Sequence, residues 1–262
     1  MDILEVTVEA PSREYVRTIT EGYRRAVLLR GALRAWKPRT TWTPRYLKAL
    51  TGGSIIRACE NDDVGSWYEH VEGRAGTKST SITVSDFLDL LDGDNPKRYY
   101  AGELSVQTIP NVRSDLGELA FLPPVPESEL VIRFWLGKAN LTQLHYDTFH
   151  TFMLPIWGTK EVMLYPPSRL DDFYPSMERG LRTTSRVRNP KAYDKTDFPN
   201  FAAHAAITVR VTAEDMLFIP IFWWHFISGC TEVNLSATFH FGERAPEIWR
   251  SPYFRHYIQG EL

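Results

Sequence analysis

The sequence predicts a mainly β protein with a helical elaboration, whose core is a double-stranded β-helix, the two-sheet jelly roll. Two observations lead to this expectation. From about residue 129 the chain changes to short strand-like stretches rich in β-branched and aromatic residues, separated by turn signals. Four of them are residues 130–136, 151–156, 207–211 and 234–241. The 262 residues, 43% hydrophobic and 24% charged, are enough for one large domain with a sizeable core.

The first 128 residues are predicted to form a helical N-terminal elaboration with flanking strands. Ser12 can cap a first helix, and Thr43 followed by Pro44 supplies a capping hydroxyl and a proline at the first helical position of another. Ser85 stands before a third apolar, helix-like stretch and is its predicted cap. The polar segment 62–78, which contains several glycines, is predicted to be a loop between strands.

We expect a single domain over residues 1–262, with the jelly-roll core at 129–245 and a long insert at 168–206. The insert is polar, has little periodicity and includes the basic residues Arg179, Arg182, Arg186, Arg188, Lys191 and Lys195. Loops of this length in a compact domain are usually functional or disordered, and a charge run is more often a solvated face than a binding site. A solvated surface and a substrate-contacting loop are therefore both open for the insert.

The charge balance and the cysteines restrict the partners and the compartment. The net charge of −2 gives no global reason to expect nucleic acid or an anionic membrane as a partner. Two cysteines, Cys59 and Cys230, are too few for a disulfide scaffold, which favours a reducing compartment. The first residues lack the basic region and apolar core of a signal peptide, and no apolar run reaches membrane-spanning length. These features predict a cytoplasmic protein.

A candidate metal site is formed by His145, Asp147 and His225. The first two are separated by one residue on an extended segment, so their side chains point to the same face of a strand. Two imidazoles and one carboxylate are the ligand set that binds non-heme Fe(II) on one face and leaves other coordination positions open. This arrangement fits oxygen activation better than a structural metal site, which protein ligands would close.

The His-x-Asp pair by itself is a weak signal, since a surface histidine beside a turn aspartate gives the same pattern. Its surroundings strengthen it. A glycine turn suited to a hairpin follows the pair, and a turn with a buried-looking strand, 214–220, comes just before the second histidine. His150 and His204 are competing ligands, but His150 follows Asp147 too closely to share its face easily, and His204 lies in the insert.

Several motifs in the second half of the chain resemble those of the Jumonji-C-type (cupin-like) oxygenases. They are the stretch from Leu136 to Asp147, Gly158-x-Lys160, Tyr165-Pro166-Pro167 and Ile219-Pro220-x-x-Trp223-Trp224-His225. The nearest resemblance is to the asparaginyl-hydroxylase branch, which includes the factor that hydroxylates hypoxia-inducible factor. With N-terminal stretches such as 27–36 and 42–47, it covers about residues 12 to 250. It implies a cupin jelly roll, an Fe(II) site at the three residues above, a 2-oxoglutarate cosubstrate and dioxygen.

The resemblance also assigns residues to the 2-oxoglutarate site. Lys160 stands where the family places the lysine that binds the distal carboxylate, although its local sequence more often belongs to an exposed hairpin lysine. Thr142 and Tyr100 match positions whose hydroxyls contact the same carboxylate in the asparaginyl branch, and Tyr99 matches as well as Tyr100 does. Hydroxyls at these positions can donate hydrogen bonds to a carboxylate.

The chain departs from the asparaginyl branch at two places that bear on substrate specificity. Thr151 stands where that branch has an asparagine near the cosubstrate, and Thr238 and His240 replace its asparagine and tryptophan in the last strand. We assign Thr151 and Thr238 to the cosubstrate site, because hydroxyls can still hydrogen-bond it. Arg182 in the insert, His240 and Trp224 are candidate substrate contacts, although an aromatic residue such as Trp224 more often packs in the core or at its rim.

The expected activity is that of a dioxygenase that uses Fe(II) and 2-oxoglutarate to hydroxylate an unactivated carbon of a protein or peptide side chain, or of an amino-acid-derived metabolite. Demethylation is a variant, because hydroxylation of an N-methyl carbon releases formaldehyde. The alternatives are a non-oxidative cupin metalloenzyme of the isomerase type, a tRNA-modifying hydroxylase that uses the basic insert, and a cupin-like binding protein without activity. The expected partner is the substrate itself, with no membrane and no nucleic acid, and the protein is expected to be a monomer or a homodimer.

Overall fold

The computed structural model describes residues 2–61, 78–93, 98–138, 141–242 and 246–259. Strands dominate these ranges, and the predicted mainly β fold is confirmed. The strands are β1 (Leu4–Thr7), β2 (Val27–Arg30), β3 (Ile55–Asn61), β4 (Lys78–Thr83), β5 (Arg98–Ser105), β6 (Leu130–Lys138), β7 (Leu141–Tyr146), β8 (His150–Trp157), β9 (Thr159–Tyr165), β10 (Ile207–Thr212), β11 (Met216–Ile219), β12 (Trp224–Gly229) and β13 (Val233–Phe241). The helices are α1 (Arg13–Ile19), α2 (Lys37–Thr41), α3 (Pro44–Thr51), α4 (Val84–Asp92), α5 (Pro246–Arg250) and α6 (Pro252–Ile258). The loop predicted for 62–78 lies outside the described residues, apart from Lys78, where β4 begins.

The strands form two sheets that pack face to face, which is the predicted jelly-roll architecture. The larger sheet has the order β1-β2-β11-β8-β13-β6-β5-β3-β4, and the smaller sheet has the order β10-β9-β12-β7. Paired strands are antiparallel except β1 and β2, which are parallel. The strands β6 to β13 supply the two faces of the jelly roll, and β1 to β5 extend the larger sheet at both of its edges.

Helix starts follow the capping signals of the sequence at two of three places. Ser12 and Thr43 cap α1 and α3 through their side-chain oxygens, as predicted. The prediction of Ser85 as the cap of α4 is wrong, because Thr83 accepts the amide hydrogen bond from Asp86. Thr83 also donates to the Asp86 carboxylate at 2.7 Å, a reciprocal pair that Ser85 cannot make from within the first turn. No helix in the described ranges is long and apolar enough to cross a membrane.

Apolar side chains hold the sheets together in three layers. One layer joins the larger sheet to the N-terminal helices, and a second lies between the two sheets. The third layer, which we call the aromatic cluster, covers the outer face of the smaller sheet and includes Tyr146, Tyr165, Phe173, Phe201, Phe222, Trp224, Phe226 and Tyr253. Strand β8 is buried along almost its whole length because core lies on both of its sides, whereas β10 alternates between buried and exposed residues.

The insert at 168–206 lies along the edge of the smaller sheet. Strand β7 is the last strand of that sheet, and residues 183–188 pair with it through the backbone. The Tyr146 amide donates to the Thr183 carbonyl at 2.9 Å, and the Ser185 amide donates to the Leu144 carbonyl at 2.8 Å. These bonds satisfy backbone groups that an edge strand otherwise leaves open. This part of the insert is therefore an ordered neighbour of the strand that carries His145.

Candidate active site

The three predicted metal ligands come together at one end of the smaller sheet. His145 on β7 and His225 on β12 lie directly opposite each other in the antiparallel register, with ring centroids 4.1 Å apart. Asp147 follows β7 immediately, and its two carboxylate oxygens lie 3.8 Å from Nε2 of His145 and 3.8 Å from Nε2 of His225. Donor atoms from all three residues fall within 4.8 Å of one another, which is close enough to bind one metal ion.

Backbone carbonyls orient both imidazoles. Nδ1 of His145 lies 2.8 Å from the carbonyl of Gln143, and Nδ1 of His225 lies 3.0 Å from the carbonyl of Trp223. Because a carbonyl only accepts, each ring donates from Nδ1 and keeps the lone pair of Nε2 for a metal. Burial lowers the pKa of His225 to about 4, so this imidazole is neutral at neutral pH, as a ligand must be.

The carboxylate of Asp147 is held by a hydrogen-bond chain that sequence reasoning missed. The Thr151 hydroxyl donates to Asp147 Oδ2 at 3.1 Å and lies 2.9 Å from Nδ1 of His240. The hydroxyl has one proton, so His240 must donate from Nδ1 to it. Burial acts to raise the pKa of Asp147, but His225, His145 and this hydrogen bond hold it below its ordinary value. Thr151 lines the cavity and gives its only proton to a metal ligand, so its contact with the cosubstrate stays a prediction.

A strained turn joins Asp147 to the strand of His225. Phe222 has a φ of 66°, a left-handed conformation that is rare for a bulky residue, and its amide donates to the Asp147 carbonyl at 3.0 Å. The neighbouring Ile221 amide donates to Nδ1 of His150 at 3.1 Å. His150 is therefore a buried structural residue. The other competing ligand, His204, lies 3.3 Å from Asp172 in the insert and is not part of the metal-binding group.

A cavity of about 410 Å³ opens between the sheets in front of the three ligands. On the larger sheet its wall consists of alternate residues of two paired strands, Val131, Arg133 and Trp135 on β6 and Ser236, Thr238 and His240 on β13. Thr142, Lys160 and Ile227 line the cavity from the smaller sheet, and Gly180, Leu181, Thr183 and Thr184 of the insert contribute to the rim. Arg133 and Trp135 were not predicted. Their signal was available, since Ile132, Phe134 and Leu136 alternate with them and are buried in the core.

Lys160 lies in this cavity rather than on the surface. The residue is 4% exposed, and its ammonium has no ion pair or hydrogen bond to any residue that the structure describes. Burial without a counter-ion lowers the pKa of its ammonium to about 8. The Ser236 hydroxyl in the same cavity is buried and has no hydrogen-bond partner among the described residues. An unpaired buried cation and an unpaired hydroxyl leave a place that a carboxylate would fill.

The remaining predicted residues are divided between the cavity wall and the core. Thr142, Thr238 and His240 line the cavity, although the Thr238 hydroxyl already accepts a hydrogen bond from Trp135 Nε1 at 2.9 Å. Tyr100 is not among the residues that line the cavity; it pairs with Gly137 on the face of β6 that bears Trp135, and its ring lies 6.4 Å from that of Trp135. Trp224 belongs to the aromatic cluster and is fully buried there, because it neighbours His225 on the strand and points the other way.

Arg182 lies between two residues of the cavity rim, Leu181 and Thr183, but is not itself part of the wall. Its charge acts on Tyr146, which belongs to the aromatic cluster on the opposite face of β7. The contact of Arg182 with substrate stays a prediction, whereas Trp224 is fully buried in the aromatic cluster, away from the cavity.

Comparison with known proteins agrees with this geometry. A profile of the cupin-like domain family matches residues 17–245. The chain belongs to the cupin-like domain family. Jumonji C domain-containing protein 5 of Drosophila melanogaster is 24% identical to it over 231 residues, 84% of this chain and 55% of the relative. The expected resemblance to Jumonji-C-type proteins is thereby confirmed.

Two further relatives of this cupin-like domain have names that include an activity. Lysine-specific demethylase 8 of Xenopus tropicalis is 26% identical over 237 residues, 88% of this chain and 51% of the relative. The human bifunctional peptidase and (3S)-lysyl hydroxylase JMJD7 is 26% identical over 247 residues, 80% of this chain and 76% of the relative. The chain spans about half the length of the demethylase. Both names refer to lysine, so membership of the asparaginyl branch stays a prediction.

Proposed function

We propose that this cupin-like domain is an Fe(II)- and 2-oxoglutarate-dependent dioxygenase. In this proposal it hydroxylates an unactivated carbon of a protein or peptide side chain, or of an amino-acid-derived metabolite. The observation that carries the proposal is the presence, in one cavity, of a three-ligand metal group and of the buried, unpaired ammonium of Lys160. A metalloenzyme that used its ion only as a Lewis acid would have no need for this lysine.

The donor set fits iron. Two neutral imidazole nitrogens and one carboxylate suit Fe(II), and none of the three residues is a thiolate of the kind that favours zinc. All three lie at one end of the smaller sheet and line the cavity, so they would hold an ion from one side. Iron and 2-oxoglutarate, when bound, supply the activation of dioxygen coupled to decarboxylation of the cosubstrate.

The chain's own residues position the reactants and exclude water. The Lys160 ammonium binds the distal carboxylate of 2-oxoglutarate, and the Thr142 and Ser236 hydroxyls lie in the same cavity to donate to it. The Thr151 hydroxyl donates a hydrogen bond to Asp147 Oδ2 and so fixes the carboxylate in one orientation. Trp135 and Ile227 provide apolar walls on the two sheets, which keep bulk water from the reacting centre.

Demethylation is a second candidate, supported by the name of the Xenopus relative. The same chemistry performed on an N-methyl carbon gives an unstable product that releases formaldehyde. Formaldehyde release from a methylated peptide would therefore identify this variant, whereas a stable hydroxylated product would identify hydroxylation.

An anaerobic absorbance titration tests the proposed function directly. Metal-free protein receives Fe(II) and then 2-oxoglutarate, and we expect a visible charge-transfer band to form. The band should be absent in Asp147→Ala, weak in Lys160→Met, and unchanged in His204→Ala, whose histidine pairs with Asp172 in the insert. Iron binding without the band would contradict the role of 2-oxoglutarate, and failure to bind iron would contradict the metal site.

A further inference from the structure

The cavity contains a second unpaired cation, Arg133. It stands between Val131 and Trp135 on β6, and its half-buried side chain lines the cavity from the larger sheet. Its guanidinium makes no ion pair and no hydrogen bond with any residue that the structure describes. His240 lines the same wall, and burial lowers its pKa to about 4, so it is neutral at neutral pH and adds no charge of its own. Lys160, in contrast, comes from β9 on the smaller sheet.

Negative charge on the described wall is limited to one group. Asp147 is the single carboxylate among the described residues that line the cavity. That carboxylate is already committed to His145, His225 and the Thr151 hydroxyl. A substrate ammonium or guanidinium entering here would meet Arg133 as a like charge and would find no free carboxylate on this wall. Bringing a second cation into such a site is costly.

We propose that Arg133 recognises a carboxylate on the substrate. This inference rests on the proposed function, in which Lys160 takes the distal carboxylate of 2-oxoglutarate. Arg133 then remains free, and its planar guanidinium can hold a carboxylate through two parallel hydrogen bonds. Trp135 beside it supplies a flat apolar surface for the carbon chain of the substrate. The substrate of this chain therefore differs in charge from the lysine in the names of its relatives.

The carboxylate can belong to an acidic side chain or to a chain end, and peptide probes separate the two sources. The first probe is a tripeptide with a central aspartate and both ends blocked. The second has no acidic side chain but a free C-terminal carboxylate, and the third has a central lysine and blocked ends. Each is titrated by calorimetry into anaerobic protein loaded with Fe(II) and 2-oxoglutarate, so that binding is measured without turnover.

We expect one of the two acidic probes to bind, and the lysine probe not to. Arg133→Gln should lower the affinity for the acidic probe that binds by roughly 10- to 100-fold, as expected for loss of a hydrogen bond between charged groups. Arg133→Lys should keep part of the affinity because it keeps the charge. The affinity for 2-oxoglutarate and the charge-transfer band should be the same in both variants as in the wild type, which also shows that the variants are folded.

Three outcomes would overturn the inference. The first is that neither acidic probe binds, and the second is that the lysine probe binds more tightly than both. The third is that Arg133→Gln lowers the affinity for 2-oxoglutarate instead of the affinity for the probe, which would place Arg133 in the cosubstrate site. If the wild-type protein forms no complex with Fe(II) and 2-oxoglutarate at all, the proposed function itself has failed, and that result is visible before any probe is added.

Discussion

Replacement of Lys160 by methionine should make the protein without cosubstrate more stable. The ammonium has an ordinary pKa of 10.5, and burial lowers it to about 8 in the folded protein. One pH unit corresponds to about 1.4 kcal/mol, so the desolvated charge costs the fold roughly 3 kcal/mol. Methionine fills a similar volume without a charge. The free energy of unfolding should therefore rise by up to about 3 kcal/mol at pH 7, measured by urea denaturation of the metal-free protein.

The sign of the pH dependence gives a further check on this prediction. Below pH 8 the lysine is charged in both the folded and the unfolded chain, so the full cost is present. Between pH 8 and 10.5 the folded protein has lost the proton while the unfolded chain keeps it, so the advantage of Lys160→Met should shrink and then disappear. Lys195→Met, at an exposed position of the insert, is the control and should change stability by less than about 0.5 kcal/mol.

Binding of Fe(II) and 2-oxoglutarate should reduce the stability advantage of Lys160→Met over the wild type. Saturating Fe(II) and 2-oxoglutarate should stabilise the wild type by about 2.7 kcal/mol at a hundred times the dissociation constant, and Lys160→Met by much less. The difference between the two proteins should therefore narrow when both ligands are added anaerobically. If Lys160→Met instead destabilised the ligand-free protein at pH 7, and did so equally at every pH, the lysine would not be an unpaired buried charge.

Substitutions at three other positions test the neighbouring geometry. Thr151→Val removes the hydrogen bond to Asp147, so iron affinity should fall roughly 10- to 100-fold, whereas Thr151→Ser should keep it. An equal loss in both variants would contradict the role of the hydroxyl. Gly158→Ala should lower the unfolding free energy in urea by more than about 1 kcal/mol, because φ is 76° and a Cβ would lie 2.8 Å from the Val233 carbonyl oxygen. Phe222→Gly should be more stable than Phe222→Ala by about 1 kcal/mol, since only glycine adopts a φ of 66° without strain. Equal stability of the two would show that this turn is not strained.

Two of the metal ligands could be predicted because their determinants are local. Alternation along an extended segment places His145 and Asp147 on one side, whichever residue ends the strand. His225 meets them through the pairing of β12 with β7, and it was predicted from the motif around it rather than from spacing. The general fold was equally accessible, since it depends on the composition of many short strands. The support of Asp147 was not accessible in this way. Thr151 meets His240 because β8 and β13 pair in a register that places them opposite each other, and that pairing joins residues far apart in sequence.

The positions of two other predicted residues show the same limit. Tyr100 pairs with Gly137 across β5 and β6, and this pairing places its ring beside that of Trp135. Arg182 lies between two rim residues because of the course of the insert, which has little periodicity of its own. In both cases contacts between segments distant in sequence decide the position, so no local pattern could have predicted it.

The pairing of residues 183–188 with β7 makes the position of His145 independent of the side chains at the cavity rim. These contacts are made by amides and carbonyls, so they tolerate almost any side chain except proline at a donating position. Rim residues such as Leu181 and Thr184 can therefore be exchanged while His145 keeps its place. New selectivity could be sought by randomising these rim positions, with the iron site left as a constant background against which each variant is compared.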